Sequence, residues 1–483
     1  MNKYRKIGEN VSLWLFLFFL VIVTFYIVYN AEWILGDNYL SMQHTGIGKP
    51  VPVISEIVGG GISTGRFSPT APLDYNILTI FTWSHTITAH YIVNALFFIL
   101  LSVFSVTLLK IVQHYYFGSK SLILPILVYI LLFIGCSHIT AFLDIIFYHR
   151  LASLLFVMIF YLMFLNRESG QSKYLVYTIP MVIWVTFCNE TIFSSFFVIG
   201  MSLLLFNYKN SSKAQNRYAI FLVADAVLYL LLYAFIVLPQ KTSTYTPIPN
   251  NNFFKDLLLW TPQTMLVLAM SVLRLYYILI KKDTSRIYID AILFGGAVLA
   301  LANIVLSLST AYYYMIVMVF LMPSFLYWAY YFYQKSKRLF CFLTIATLLL
   351  FIRPIHLFPY LIVNNQHRRT TEMAIIRQVE PFVVEDRNRL IFLTGEVPEG
   401  SYERNVRIFV KRVLKETYEF ETKSDIQVKE LNDITNGEYP HLFLTKQDAK
   451  YLEKVQEDYL KQCYDSIQSF GDLNVIFYKK QKK

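Results

Sequence analysis

Charge is what this 483-residue chain has least of. Asp, Glu, Lys and Arg make up 16% of it, against roughly 25% in soluble domains, while 56% is hydrophobic and 17% aromatic. That balance excludes an ordinary soluble globular domain. Cysteine is also sparse: Cys136, Cys188 and Cys341 fall in or beside apolar runs and Cys463 stands alone in the polar tail. No metal-type spacing exists, and Cys463 has no local disulfide partner. Cys136 and Cys188 both fall near one membrane face, with no pattern that argues for a bridge. Internal repeats and low-complexity runs are absent, which weighs against an inverted-repeat transporter. Gly59-Gly60-Gly61 precedes no strand–helix unit and is not a nucleotide-binding fingerprint.

Long apolar runs are abundant. A helix of about 20 apolar residues crosses the roughly 30 Å hydrocarbon layer with every backbone group satisfied internally. Spans are expected near 11–29, 91–112, 121–137, 151–166, 174–188, 190–207, 218–238, 260–280, 287–308, 314–333 and 339–361. The first follows a basic start (Lys3, Arg5, Lys6) and lacks a small-residue cleavage site, so it reads as a retained anchor in a lipid bilayer.

The net charge of +11 does not mark a nucleic-acid binder. From Asn365 onward 20 bases meet 20 acids, so the whole excess lies before that point, 23 bases against 12 acids. With the N-terminus cytoplasmic, sixteen Lys and Arg fall in cytoplasmic segments and five in short outer ones, alternating as the positive-inside rule requires. An odd number of spans then places the tail on the extracytoplasmic side of the cell membrane. Two regions follow: a multi-span membrane domain, 1–364, and an extracytoplasmic domain, 365–483. In the latter, Arg389–Thr394, His441–Thr445 and Asp472–Tyr478 read as strands, and Tyr402–Tyr418 and Lys446–Phe470 as helices. This alternation predicts a small α/β domain.

The first outer loop, 31–74, is far longer than the few residues a helix connector needs, and such loops are commonly functional. It holds Glu32, Asp37, Glu56, Asp74, Lys49 and Arg66. Residues 75–90, apolar but interrupted by Thr, Ser and His, suit a helix lying in the interface. His85 and His90 read there as interfacial residues, not metal ligands. Of the twelve acids before Asn365, seven (Glu32, Asp37, Glu56, Asp74, Asp144, Glu190, Asp256) fall on or near the outer face. Glu190 interrupts apolar sequence with almost no room for a loop; it marks either a functional carboxylate or a tight exposed turn. Asp37 is a candidate general base, with a solvated loop acid as the alternative.

Asp144, His149 and Arg150 form a polar group before the fourth span. Arg150 suits a phosphate, which a guanidinium grips bidentately; interfacial anchoring by snorkelling is the alternative. Arg66, beside a glycine that permits close approach, is a second phosphate candidate and Arg353 a weaker third. Arg274, Asp225 and Asp290 read as residues near cytoplasmic helix ends that snorkel.

One span, a long outer loop with an acid soon after it, an interfacial stretch, many further spans and an outer tail resemble the GT-C superfamily of integral-membrane glycosyltransferases. Gly36-Asp37-Asn38 is similar to that family's acidic motif, where many members carry Asp-Asp, Asp-Glu or Asp-Xaa-Asp. The resemblance implies an α-helical polytopic fold of about 11 transmembrane helices with a small C-terminal extracytoplasmic α/β domain. It implies transfer of a sugar from a polyprenyl-phosphate-linked donor to an envelope polysaccharide or another acceptor. Asp37 would be the base; Arg150, Arg66 and His149 would hold the donor phosphate; Glu190 would orient the acceptor or act as base. Asp144, Glu32 and Asn38 would support the acceptor. The resemblance fixes no cofactor, and because Asn38 stands where many members have a second acid, a divalent metal is left open. A polysaccharide polymerase or ligase, and a lipid-linked glycan transporter or flippase, are the alternatives.

Overall fold

The computed structural model describes residues 2–29, 62–71, 73–78, 80, 87–135, 139, 142, 148–242, 261–306, 311–356, 390–394, 427–430, 441–445, 454–463, 466–470 and 475–479. They belong to two compact units, one containing Thr88–Leu361 and the other Ile362–Lys483.

The first unit is helical: α1 (Asn2–Tyr29), α2 (Leu73–Leu78), α3 (Ile87–Phe117), α4 (Ile123–Gly135), α5 (Tyr148–Ser169), α6 (Lys173–Thr186), α7 (Ile192–Asn207), α8 (Lys213–Leu232), α9 (Pro262–Lys281), α10 (Ile287–Val305), α11 (Met315–Lys335) and α12 (Lys337–His356). A π-turn, Tyr233–Val237, and a 3-10 turn, Leu238–Gln240, extend α8. Each of the eleven expected spans meets a helix, but nine of these helices are long and apolar enough to cross a membrane. The other two, α4 and α6, have 13 and 14 residues, or about 20 Å at 1.5 Å per residue. The expected spans 121–137 and 174–188 thus meet apolar helices shorter than the other nine among the described residues. Residues 75–90 divide between the short α2 and the start of α3, with 81–86 outside the described residues. His90 is buried inside α3 and stacks on Tyr75 with ring centroids 5.2 Å apart.

The centre of the bundle is α10, the most buried of the long helices. Lipid tails are as apolar as leucine, so helices in a membrane associate through close packing and hydrogen bonds, not through a hydrophobic drive. Both devices meet on α10. A Cβ on Gly296 would overlap the Cβ of Phe320 on α11, and one on Gly295 would lie 2.9 Å from Ile199 on α7. Serines on three neighbours donate to its carbonyls: Ser195 to Gly295 at 3.0 Å, Ser271 to Leu293 at 3.5 Å and Ser324 to Ile289 at 3.3 Å. At the start of α8, Ser212 and Gln215 form a reciprocal capping box, and the Gln215 amide also donates to Asn166 on α5 at 2.9 Å.

Arg274 and Asp290 do not snorkel. Both are almost fully buried, and the guanidinium grips the carboxylate through two bonds of 2.8 and 2.7 Å, joining α9 to α10. Arg274 also bonds Asp283, which pairs with Arg286 at 2.7 Å. Arg286 in turn lies 4.7 Å from the Trp328 ring centroid and 5.0 Å from that of Tyr327 on α11. These charges gather at the turn between α9 and α10, where they meet one another. Asp225 also departs from expectation: it is buried in the middle of α8.

The described part of 365–483 consists of strands β1 (Leu390–Thr394), β2 (Gln427–Glu430), β3 (His441–Thr445), β4 (Ser466–Phe470) and β5 (Val475–Lys479) with helix α13 (Lys454–Cys463). The strands form one sheet in the order β2-β1-β3-β5-β4. β1 runs parallel to β2 and β3, and β5 antiparallel to β3 and β4. β1, β3 and β5 fall at the segments read as strands. Lys446–Phe470 is not one helix, because Ser466–Phe470 pairs with β5; β2 carried only a short alternation and was not expected. Tyr402–Tyr418 lies outside the described residues.

Removing one partner from a buried pair leaves an uncompensated charge, at about 3–5 kcal/mol. Arg274→Leu should lower thermal stability by that order, and adding Asp290→Leu should restore much of it; equal losses in the single and double variants would contradict the pairing. Asp283 carries a second expectation. Burial raises its pKa, but bonds from the Ser285 hydroxyl, Arg286 and the Ser285 amide outweigh it and hold the carboxyl below its ordinary value. A lowered folded pKa contributes stability above the unfolded value that is lost as pH falls through the folded one. Melting temperature should thus decline below about pH 4, and less steeply in Asp283→Asn.

Candidate functional site

The site is built on the last part of the first loop. Ile62–Thr64 forms a 3-10 turn closed by the Gly65 amide on the Ile62 carbonyl at 3.0 Å. Gly65 then takes φ +84°, and a Cβ there would crowd the Tyr233 hydroxyl and the Lys241 side chain at 3.2–3.3 Å. Glycine is the residue that tolerates both conditions. Two tyrosines one helical turn apart at the end of α8 hold the carbonyls on either side of Arg66. Tyr233 donates to Gly65 at 2.9 Å, and Tyr229 to Phe67 at 2.7 Å.

Phe67 is buried against Tyr229, Val237, Phe187 and Phe193. Beyond it, the Thr70 hydroxyl donates to the Trp184 carbonyl at 2.7 Å and its amide to Phe187 at 3.2 Å. At the other end, the Thr242 amide donates to Ser63 at 2.9 Å. Residues 63–70 are therefore fastened to the ends of both α6 and α8, with Arg66 in the middle.

Glu190 meets Arg66 from the turn between α6 and α7. In that turn the Asn189 side chain accepts from the Thr191 amide at 2.8 Å and hydroxyl at 2.6 Å, an Asx turn that tightens the connection. Glu190 belongs to a tight turn, though not an exposed one, and is ion-paired with Arg66 through the guanidinium Nε. The two side chains are 17% and 16% exposed, so the pair is largely withdrawn from solvent. Tyr229 lies within electrostatic reach of both charges. Cys188, just before Asn189, is buried, with its sulfur 3.4 Å from the Thr70 hydroxyl oxygen; Cys136 lies outside the described residues.

His149, in the first turn of α5, is buried, lies edge-on to Tyr313 with centroids 5.2 Å apart, and is within electrostatic reach of Arg66. Arg150 beside it is buried too, its guanidinium carbon 5.6 Å from the Phe97 ring centroid. A buried, ring-stacked arginine is not a snorkelling anchor. Arg353, by contrast, is exposed on α12.

The structure thus pairs Arg66 with Glu190 and puts His149 within electrostatic reach of Arg66, three residues from distant stretches, while Arg150 follows His149 in α5 and lies against Phe97. Asp37, Asn38, Glu32 and Asp144 lie outside the described residues. Among the described residues no group of three or more His, Cys, Asp or Glu side chains gathers to hold a metal. Sequence reasoning missed Tyr229, Tyr233 and Thr70. The only signal was a tyrosine pair spaced i,i+4 near a helix end, a spacing that an aromatic belt shares. No protein-family model matches the chain, and no curated protein is significantly similar to it.

The pairing makes a measurable claim. In a double-mutant cycle of Arg66→Gln and Glu190→Gln, thermal unfolding should give a coupling of about 0.5–3 kcal/mol. Strictly additive losses would show that the two side chains do not interact.

Proposed function

We propose that this protein is a membrane glycosyltransferase of GT-C type, which moves a sugar from a polyprenyl-phosphate-linked donor to an envelope glycan at the outer face. The observation that supports this best is the convergence of Arg66, Glu190 and His149, with Arg150 adjacent, at one place on a polytopic helical bundle. An amphiphilic donor suits such a place: its isoprenoid tail dissolves among apolar helix faces while its phosphate seeks cations at the membrane edge. Arg66 and Arg150 supply planar, permanently charged donors that match phosphate oxygens. Glu190 orients Arg66 by ion pairing, which makes it a positioning residue in the first instance, and the Tyr229 and Tyr233 bonds keep the Arg66 backbone in place.

In this reading Asp37, on the same loop, takes the proton from the acceptor hydroxyl as that oxygen attacks the sugar carbon, and the donor phosphate departs toward the arginines. The orientation with a cytoplasmic N-terminus and an outer tail belongs to this proposal, as does the reading of 365–483 as a small α/β domain that helps to bind a polysaccharide acceptor. Transport of a lipid-linked glycan is the second reading. It is favoured by the buried carboxyl at the middle of α8, a place where transporters carry ionisable groups.

Asp37→Ala and Glu190→Ala cells should lose an envelope sugar that wild-type cells carry, and unchanged envelope composition in both would overturn the transferase reading. Purified protein in liposomes separates the two readings. Sugar transfer from labelled donor supports the first; lipid translocation without transfer supports the second.

A further inference from the structure

Asp225 is the single acid of α8, twelve residues past Lys213, which is about 18 Å along a helix axis. Leu232, at the other end, is seven residues away, about 10 Å; the short Asp225 side chain spans neither distance, and Asp225 is only 5% exposed. Around it on the same face lie the buried Tyr218, Leu222, Ala226 and Tyr229. The helices packed against that face offer no countercharge nearby. α7 (Ile192–Asn207) has no charged residue, and α6 has only Lys173, at its first position. Lys213 and Arg217 sit in the opening turns of α8 itself. The phenol of Tyr218 is within electrostatic reach, and the Arg66–Glu190 pair lies beyond Tyr229. None of the ion pairs among the described residues includes Asp225.

What Asp225 does meet is the Thr186 hydroxyl on α6. Thr186 Oγ1 is 2.5 Å from Asp225 Oδ2 and 2.9 Å from the Val182 carbonyl oxygen. A threonine hydroxyl has one proton to give, a carbonyl only accepts, and an ionised carboxylate only accepts. With Asp225 ionised, two acceptors compete for that single proton, and one of the two short oxygen–oxygen contacts is left without a hydrogen. One further proton, on Oδ2, resolves both. Asp225 donates to Thr186, and Thr186 donates to Val182 as a threonine in a helix commonly does. The 2.5 Å separation fits a short O–H···O bond, and the neutral acid avoids burying an unpaired charge.

We infer that Asp225 is a proton-binding site in the membrane core, occupied at neutral pH, with the bound proton bridging Asp225 Oδ2 to Thr186 Oγ1. The site is linked to the loop that carries Arg66, because Tyr229, the next residue up the same face of α8, anchors the Phe67 carbonyl. The inference stands on the α6–α8 contact alone and does not depend on sugar transfer.

Infrared spectroscopy of the full-length protein in lipid nanodiscs tests it. The wild type minus Asp225→Asn difference should contain a protonated-carboxyl C=O band that shifts on exchange into heavy water and persists from about pH 5 to about pH 8, well above an ordinary aspartate pKa. A difference showing only ionised-carboxylate bands, or none, would overturn the inference. Should Asp225→Asn fail to fold, Thr186→Val serves instead: the carboxyl band should move as its hydrogen-bond partner is lost, and an unmoved band overturns the bridge. Sodium is the competing ligand. A rise in melting temperature with sodium that Asp225→Asn abolishes would reassign the site to a metal cation.

Discussion

A charge withdrawn from water must be met by something, and this constraint decides most of the polar architecture of the bundle. The hydrocarbon interior offers no solvent to an ion, so each buried ionisable group is balanced by an opposite charge, by aromatic faces or by a proton. Arg274 and Asp290 use the first solution, in a bidentate pair that ties α9 to α10. Arg286 combines it with the second, between Asp283 and the rings of Tyr327 and Trp328. Asp225, hydrogen-bonded to a threonine hydroxyl and included in none of the ion pairs among the described residues, calls for the third. Arg66 and Glu190 again use the first, and because each comes from a separate connector, their pairing also fixes two loops against each other.

The framework that makes these meetings possible is made of small residues and serines. α10 can approach α7 and α11 closely only because Gly295 and Gly296 lack side chains at the contacts, and the serine bonds to its carbonyls pin the approach. α6 stops at Thr186, and the turn through Asn189 and Glu190 follows at once. That stop leaves Glu190 in the turn that meets Arg66, with Thr186 at the helix end against Asp225.

Much of the helical layout was legible in the chain. Each apolar run became a helix within a few residues, because in a low-dielectric layer an apolar run of that length has no other way to satisfy its backbone. The shortness of α4 and α6 was less visible, since hydropathy reports where a segment is apolar and not where its helix ends. In the tail, β1, β3 and β5 stood out by short apolar alternation, whereas Ser466–Phe470 was read as helix because its polar and apolar residues fit both periods. At the site, Arg66, Glu190 and His149 were each singled out by charge in apolar surroundings, but Tyr229 and Tyr233 were hidden among 36 tyrosines.

By itself, then, the sequence determined that the chain is a polytopic helical protein with its polar residues gathered in a few places, because helix formation and membrane partition are local properties of composition. Only the tertiary structure decided which polar residues meet. Arg66 and Glu190 lie 124 positions apart and Thr186 and Asp225 lie 39 apart; nothing in the local sequence encodes such a contact. The contacts arise where helices end and how closely they pack, and those follow from glycines, serines and turns whose effect appears only when the whole bundle is assembled.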